Sequence, residues 1–130
     1  MERSQHCWFI FAISSIMELH SVDFKTILAW LKDKNRRIKV ETLGGNSHLY
    51  CEHVNDGKML IIGSTGQYKI IGVRFWKSVC QRMDSLSAEE RQMAGKYADT
   101  TEWNNLDYRF APSVPAICKA YLLDTKNNKQ

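Results

Sequence analysis

The apolar residues first recur with a helical period, then switch to strict alternation, then return to a helical period. That double change restricts the chain to a mixed helix-and-sheet architecture. From Ser21 the spacing is helical: Phe24, Ile27, Leu28 and Leu31 fall at i, i+3, i+4 and i+7, with Ser21 read as the N-cap and Asp23 in the first turn. Lys32, Lys34, Arg36 and Arg37 suit the negative end of the helix dipole, and Asn35 is suited to the left-handed conformation that stops a helix.

Between Arg37 and Ile71 the period is two. Ile38 and Val40 alternate with Lys39 and Glu41, and Leu49 and Cys51 alternate with Tyr50 and Glu52, which predicts two half-buried strands. Three turn clusters punctuate this stretch: Gly44, Gly45, Asn46 and Ser47; Asn55, Asp56 and Gly57; and Gly63, Ser64, Thr65 and Gly66. They set off further strands over Met59 to Ile62 and Gln67 to Ile71, the latter with Tyr68 and Ile70 on one face. The expected product is a small antiparallel meander of three or four strands.

Past Gly72, Val73 to Leu86 regains helical spacing, with Trp76, Val79, Cys80 and Met83 as its apolar stripe. Ser87 followed by Glu90 is a capping box, which predicts another helix running through Met93, Ala94 and Tyr97. An aromatic loop over residues 99–112 carries Trp103, Tyr108, Arg109 and Phe110. Pro115 then suits the first turn of a last helix with Val114, Ile117, Cys118, Tyr121 and Leu122 as its apolar positions. The fold class is therefore α+β: one N-terminal helix, a meander, and a C-terminal set of three helices packed against it. Residues 17–123 form a single domain in this reading, and residues 124–130 a polar, frayed tail.

A chain of 130 residues has room for one core, and 44% hydrophobic with 25% charged residues is the balance of a folded globule rather than a disordered or repetitive chain. The apolar run Cys7 to Met17 is shorter than the roughly 20 residues of a membrane span. Glu2 offsets Arg3 ahead of it and no small-x-small cleavage site follows, so a secretory signal is the weaker reading. Residues 1–16 read instead as a buried apolar segment or as an extension upstream of a start at Met17. Cys7, Cys51, Cys80 and Cys118 are dispersed without the spacing of a disulfide scaffold, which points to a reducing cytoplasm, while the shortness of the apolar run points to no membrane association.

Chemical signatures are few. Cys51 and His53, two apart in a strand, share a face while His48 points the other way, and two ligands are too few for a structural zinc site. There is no G-x-S-x-G elbow for a nucleophilic serine. Glu89 and Glu90 belong in the first turn of a helix, where acids are favoured anyway. The turn Gly63 to Gly66 lacks the lysine and the following helix of a phosphate loop. The sequence thus assigns no catalytic residue, metal or cofactor, and an enzymatic reading would need a pocket joining His48 or His53 to a carboxylate or thiol.

What remains is positive charge. The chain carries 18 Lys and Arg against 14 Asp and Glu, and between Lys25 and Lys39 the cations Lys25, Lys32, Lys34, Arg36, Arg37 and Lys39 face Asp33 alone. Such localisation points to a binding module for DNA or RNA, with Lys34, Arg36, Arg37 and Lys39 on phosphates and Tyr50 offering a ring to a base. Lys69 and Arg74 would extend the patch if the second helix packs beside the first hairpin. The alternative is a protein-interaction or small-ligand-binding domain whose partner docks on Trp103, Tyr108, Arg109 and Phe110 in the loop.

Overall fold

In the computed structural model, which describes residues 19–98 and 108–128, the first helix α1 runs over Phe24–Lys34. Its apolar stripe is buried as the spacing predicts: Phe24, Ile27, Leu28 and Leu31 all face the core. The cap is Asp23 rather than Ser21. The Asp23 backbone is extended and its carboxylate accepts from the Lys25 N–H at 3.1 Å. Ser21 is drawn away by a tertiary contact, its hydroxyl donating to Asp84 at 3.0 Å, and the Trp76 indole N–H fixes the neighbouring Val22 carbonyl at 2.7 Å. Asn35 closes the helix at φ 53°, its N–H donating to the Leu31 and Lys32 carbonyls.

The alternating stretch forms β1 (Ile38–Glu41), β2 (His48–Asn55), β3 (Lys58–Ile62) and β4 (Tyr68–Ile71), a four-stranded antiparallel sheet in the order β1-β2-β3-β4. The meander is the one the turn residues predict. Gly45 at φ 75° and Gly66 at φ 91° supply the left-handed positions of two of its hairpins. Because side chains alternate across a strand, the register sorts them by face. Val40, Leu49, Cys51, Met59, Ile61 and Ile71 are buried, and Lys39, Tyr50, Tyr68 and Ile70, on the opposite parity, are exposed.

Two more helices complete the core. The second, α2 (Val73–Ser85), buries Phe75, Trp76, Val79 and Met83, and the third, α3 (Ser113–Asn128), buries Val114, Ile117 and Cys118. These side chains form a single cluster with the α1 stripe and the inward residues of the sheet. Burying an aliphatic or aromatic side chain of this size contributes roughly 1.5 to 3 kcal/mol.

Two further expectations differ from the structure. The helix expected after Ser87 is instead a pair of 3-10 turns, Glu90–Gln92 and Ala94–Tyr97, so the C-terminal set contains two α-helices rather than three. The capping box itself forms: the Glu90 carboxylate accepts from the Ser87 N–H at 3.1 Å and the Ser87 hydroxyl from the Glu90 N–H at 3.2 Å. Propagation stops because Tyr97 is pulled completely into the core, its hydroxyl donating to the Arg91 carbonyl at 3.0 Å, and Met93 turns extended between the two turns. A short helix without an apolar face gains too little from packing to resist that pull. The second correction concerns the tail: α3 continues through Asn128, with the Thr125 hydroxyl donating back to the Tyr121 carbonyl at 3.0 Å. Residues 1–18 and 99–107 lie outside the described residues, and the rest of the aromatic loop is a 3-10 turn, Tyr108–Phe110, that leads into α3.

The hairpin conformations are testable through their glycines. A Cβ at Gly66 would meet nothing within 4 Å, so Gly66→Ala carries only the backbone cost of the left-handed region, about 1 to 2 kcal/mol. A Cβ at Gly63 would meet the Gln67 carbonyl at 3.7 Å in ordinary contact, so Gly63→Ala should stay within about 0.5 kcal/mol of the parent. Urea denaturation distinguishes them; equal midpoints for the two variants would refute the assigned turn.

Candidate functional site

Only Asn35, Arg36 and Arg37 separate the end of α1 from the start of β1, so the cations of this stretch are gathered around one corner. There the helix terminus and the edge strand β1 meet α3 and enclose a cleft of about 450 Å³. Lys34, Arg36, Arg37, Lys39 and Tyr50 all line it, together with Trp30 and, from α3, Asp124. The fold therefore brings together five residues that the sequence singles out.

They do not all present charge to solvent. Lys34 is held by α3: its Nζ lies 2.9 Å from Asp124 Oδ2 and 5.9 Å from the centre of the Trp30 ring. The Trp30 indole N–H donates to the same carboxylate oxygen at 2.8 Å, and Trp30 packs edge-on against Tyr121 with centroids 5.4 Å apart. The hydrogen bond from Trp30 and then that from Lys34 hold the Asp124 carboxyl below the usual carboxylate range. Arg37 is likewise engaged, its Nε and Nη2 donating to Glu52 Oε1 at 3.0 and 2.6 Å. Arg36 and Lys39 are different. Both are exposed, and among the described residues neither has an ion-pair or hydrogen-bond partner.

Lys69 and Arg74 do not extend this patch. The sheet order places β4 three strands from β1, a separation of about 14 Å at the usual strand spacing. Lys69 Nζ instead lies 5.9 Å from the centre of the Phe75 ring, and Arg74 stands exposed in the first turn of α2. In the aromatic loop, Phe110 is only 5% exposed and belongs to the core, so it offers no surface to a partner. Arg109 is exposed, Tyr108 begins the 3-10 turn, and Trp103 lies outside the described residues.

Two members of the site escape sequence reasoning. Trp30 sits off the α1 apolar stripe, which is the one sign that it needs a partner of its own; Asp124 falls in what reads as a polar tail, 94 residues away along the chain. Other chemistry recedes. Cys51 lies in the inward row of the sheet, where burial, with a smaller push from Glu52, raises its thiol to about 12; it is protonated at neutral pH and is a core residue, not a nucleophile. No protein-family model, curated protein or solved structure matches the chain, so the site is read from its own chemistry.

The Asp124 clamp has a pH signature. Because folding lowers the carboxyl's pKa, the clamp contributes fully above the ordinary carboxylate value near pH ~4 and is lost as pH falls through the lowered folded value. The indole N–H signal of Trp30 in a 15N-edited spectrum should move across that acid window. In Asp124→Ala it should be displaced already at neutral pH, with a stability loss of about 1 kcal/mol. An indole signal indifferent to both changes would remove the clamp.

Proposed function

We propose that this protein is a small binding module for nucleic acid, in which Arg36 and Lys39 hold phosphates at the mouth of the α1–β1 cleft. The observation that carries the reading is the pair of unpartnered cations beside Tyr50 in a cleft of about 450 Å³. An unpaired guanidinium and ammonium give up only water to meet phosphate oxygens, whereas Lys34 and Arg37 must first give up Asp124 and Glu52. Tyr50, 36% exposed and paired across the sheet with Lys39, stands within reach of a base whose phosphate lies on that lysine.

Counterion release makes this quantitative. Each phosphate contact contributes about −0.7 to the slope of log affinity against log salt for a single strand. Two free cations therefore predict a slope of about −1.4, and engagement of all four would predict about −2.8. Fluorescence anisotropy with a labelled oligonucleotide at several salt concentrations measures it. Arg36→Ala with Lys39→Ala should nearly abolish both affinity and slope, while Lys34→Ala, which uncovers the Asp124 carboxylate in the same cleft, should weaken affinity less and leave the slope close to that of the parent. Wild-type binding by the double variant, or a salt-independent affinity, would overturn the reading.

A further inference from the structure

The face of the sheet turned away from the helices carries Lys39, Glu41 and His48 at its β1 margin and Lys58 at one end, but over β3 and β4 it is mainly apolar, with Leu60, Ile62, Tyr68 and Ile70, where a one-sided antiparallel sheet ordinarily presents polar residues to water. Register places Lys39, Tyr50, Ile62 and Tyr68 in one row across β1 to β4, and Glu52, Leu60 and Ile70 in the next. Tyr68 is 70% exposed and Ile70 52%. Glu52 is occupied by Arg37, and β3 and β4 contribute no acid to this face. The row therefore begins at an unpaired cation, continues over a tyrosine that also lines the cleft, and ends on a second, nearly naked ring.

Resting on the nucleic-acid reading of the cleft, we infer that this face is a stacking platform for the bases of a single strand, whose phosphates lie on Arg36 and Lys39. Three observations favour that occupant. The face is continuous with the cleft through Tyr50, so one ligand spans both. Positive charge lies at its β1 margin, where Arg36 and Lys39 stand with Glu41 as the neighbouring acid, and the apolar rings lie beyond it. Its extent is small: three strand gaps by about five residues is on the order of 250 Å². A stable pair of protein copies buries about 800 Å² on each partner, so a second copy is poorly served by this face, whereas two or three unstacked bases cover it. Duplex keeps its bases stacked inside and cannot use Tyr68.

The test compares a ten-nucleotide oligo-dT, a ten-nucleotide oligo-U and a 20-base-pair duplex as probes for the full-length chain and for Tyr68→Ala, Tyr68→Phe and the Arg36→Ala/Lys39→Ala double variant. Tyr68 is exposed enough that its truncation leaves the core intact, which circular dichroism checks. Tyr68→Ala should weaken one or both single-strand probes by about 5- to 150-fold, the range expected for losing one stacked base. It should leave the salt slope and any duplex affinity unchanged, and Tyr68→Phe should bind like the parent. If Tyr68→Ala binds single strands as well as the parent while the double variant does not, the platform is wrong and the cleft reading stands. If the double variant binds every probe like the parent, the cleft reading fails and the platform with it. A parent that is dimeric by light scattering, and monomeric once Tyr68 is truncated, would overturn the proposal by showing the face to be an interface between copies.

Discussion

Burial of one face of the meander beneath three helices is the constraint from which the rest of the molecule follows. With a side-chain period of two, sending Val40, Leu49, Cys51, Met59, Ile61 and Ile71 inward obliges their neighbours to point outward. A register slip of one residue would move the whole inward set to solvent, so the hydrophobic effect fixes the pairing as well as the fold. The row Lys39, Tyr50, Ile62 and Tyr68 is thus aligned by the core behind it, and no interaction among those four residues is needed to place them.

Around the cleft a second selection operates, this time electrostatic. Asp124 and Glu52 each take one cation, and the two pairs join elements: Lys34 and Trp30 on α1 to α3, and Arg37 to β2. Partly exposed pairs of this kind add little to stability, so their main consequence is geometric. They hold α3 against the end of α1, define the walls of the cleft, and leave Arg36 and Lys39 as the cleft's cations without a partner among the described residues. The basic segment is consequently a smaller anion-attracting surface than its composition implies, and a more sharply placed one.

Much of the architecture is legible locally. The Phe24 to Leu31 stripe, the stop at Asn35, the order of the strands and the glycine turns all follow from residues within a few positions of one another. The readings that fail do so where a distant group outbids a local preference. Ser21 leaves the cap for Asp84, Tyr97 enters the core and breaks the helix that a well-formed capping box had begun, and Asp124 extends α3 beyond its expected end. The charged patch divides in the same way: the corner that gathers Lys34 to Lys39 is encoded in a short connection, whereas the exclusion of Lys69 and Arg74 depends on α2 packing by β4 and not beside the first hairpin.

By itself the amino-acid sequence determined the periods, the turns and the local concentration of positive charge, because each depends on neighbours along the chain. Only the tertiary structure decided which cations keep their charge available, since the acids that neutralise Lys34 and Arg37 arrive from α3 and from β2. The Trp30 partner of that first acid lies 94 residues from it, and Glu52 lies 15 residues from Arg37. Whether a charge is free is a matter of distances in space, and no spacing along a chain encodes them.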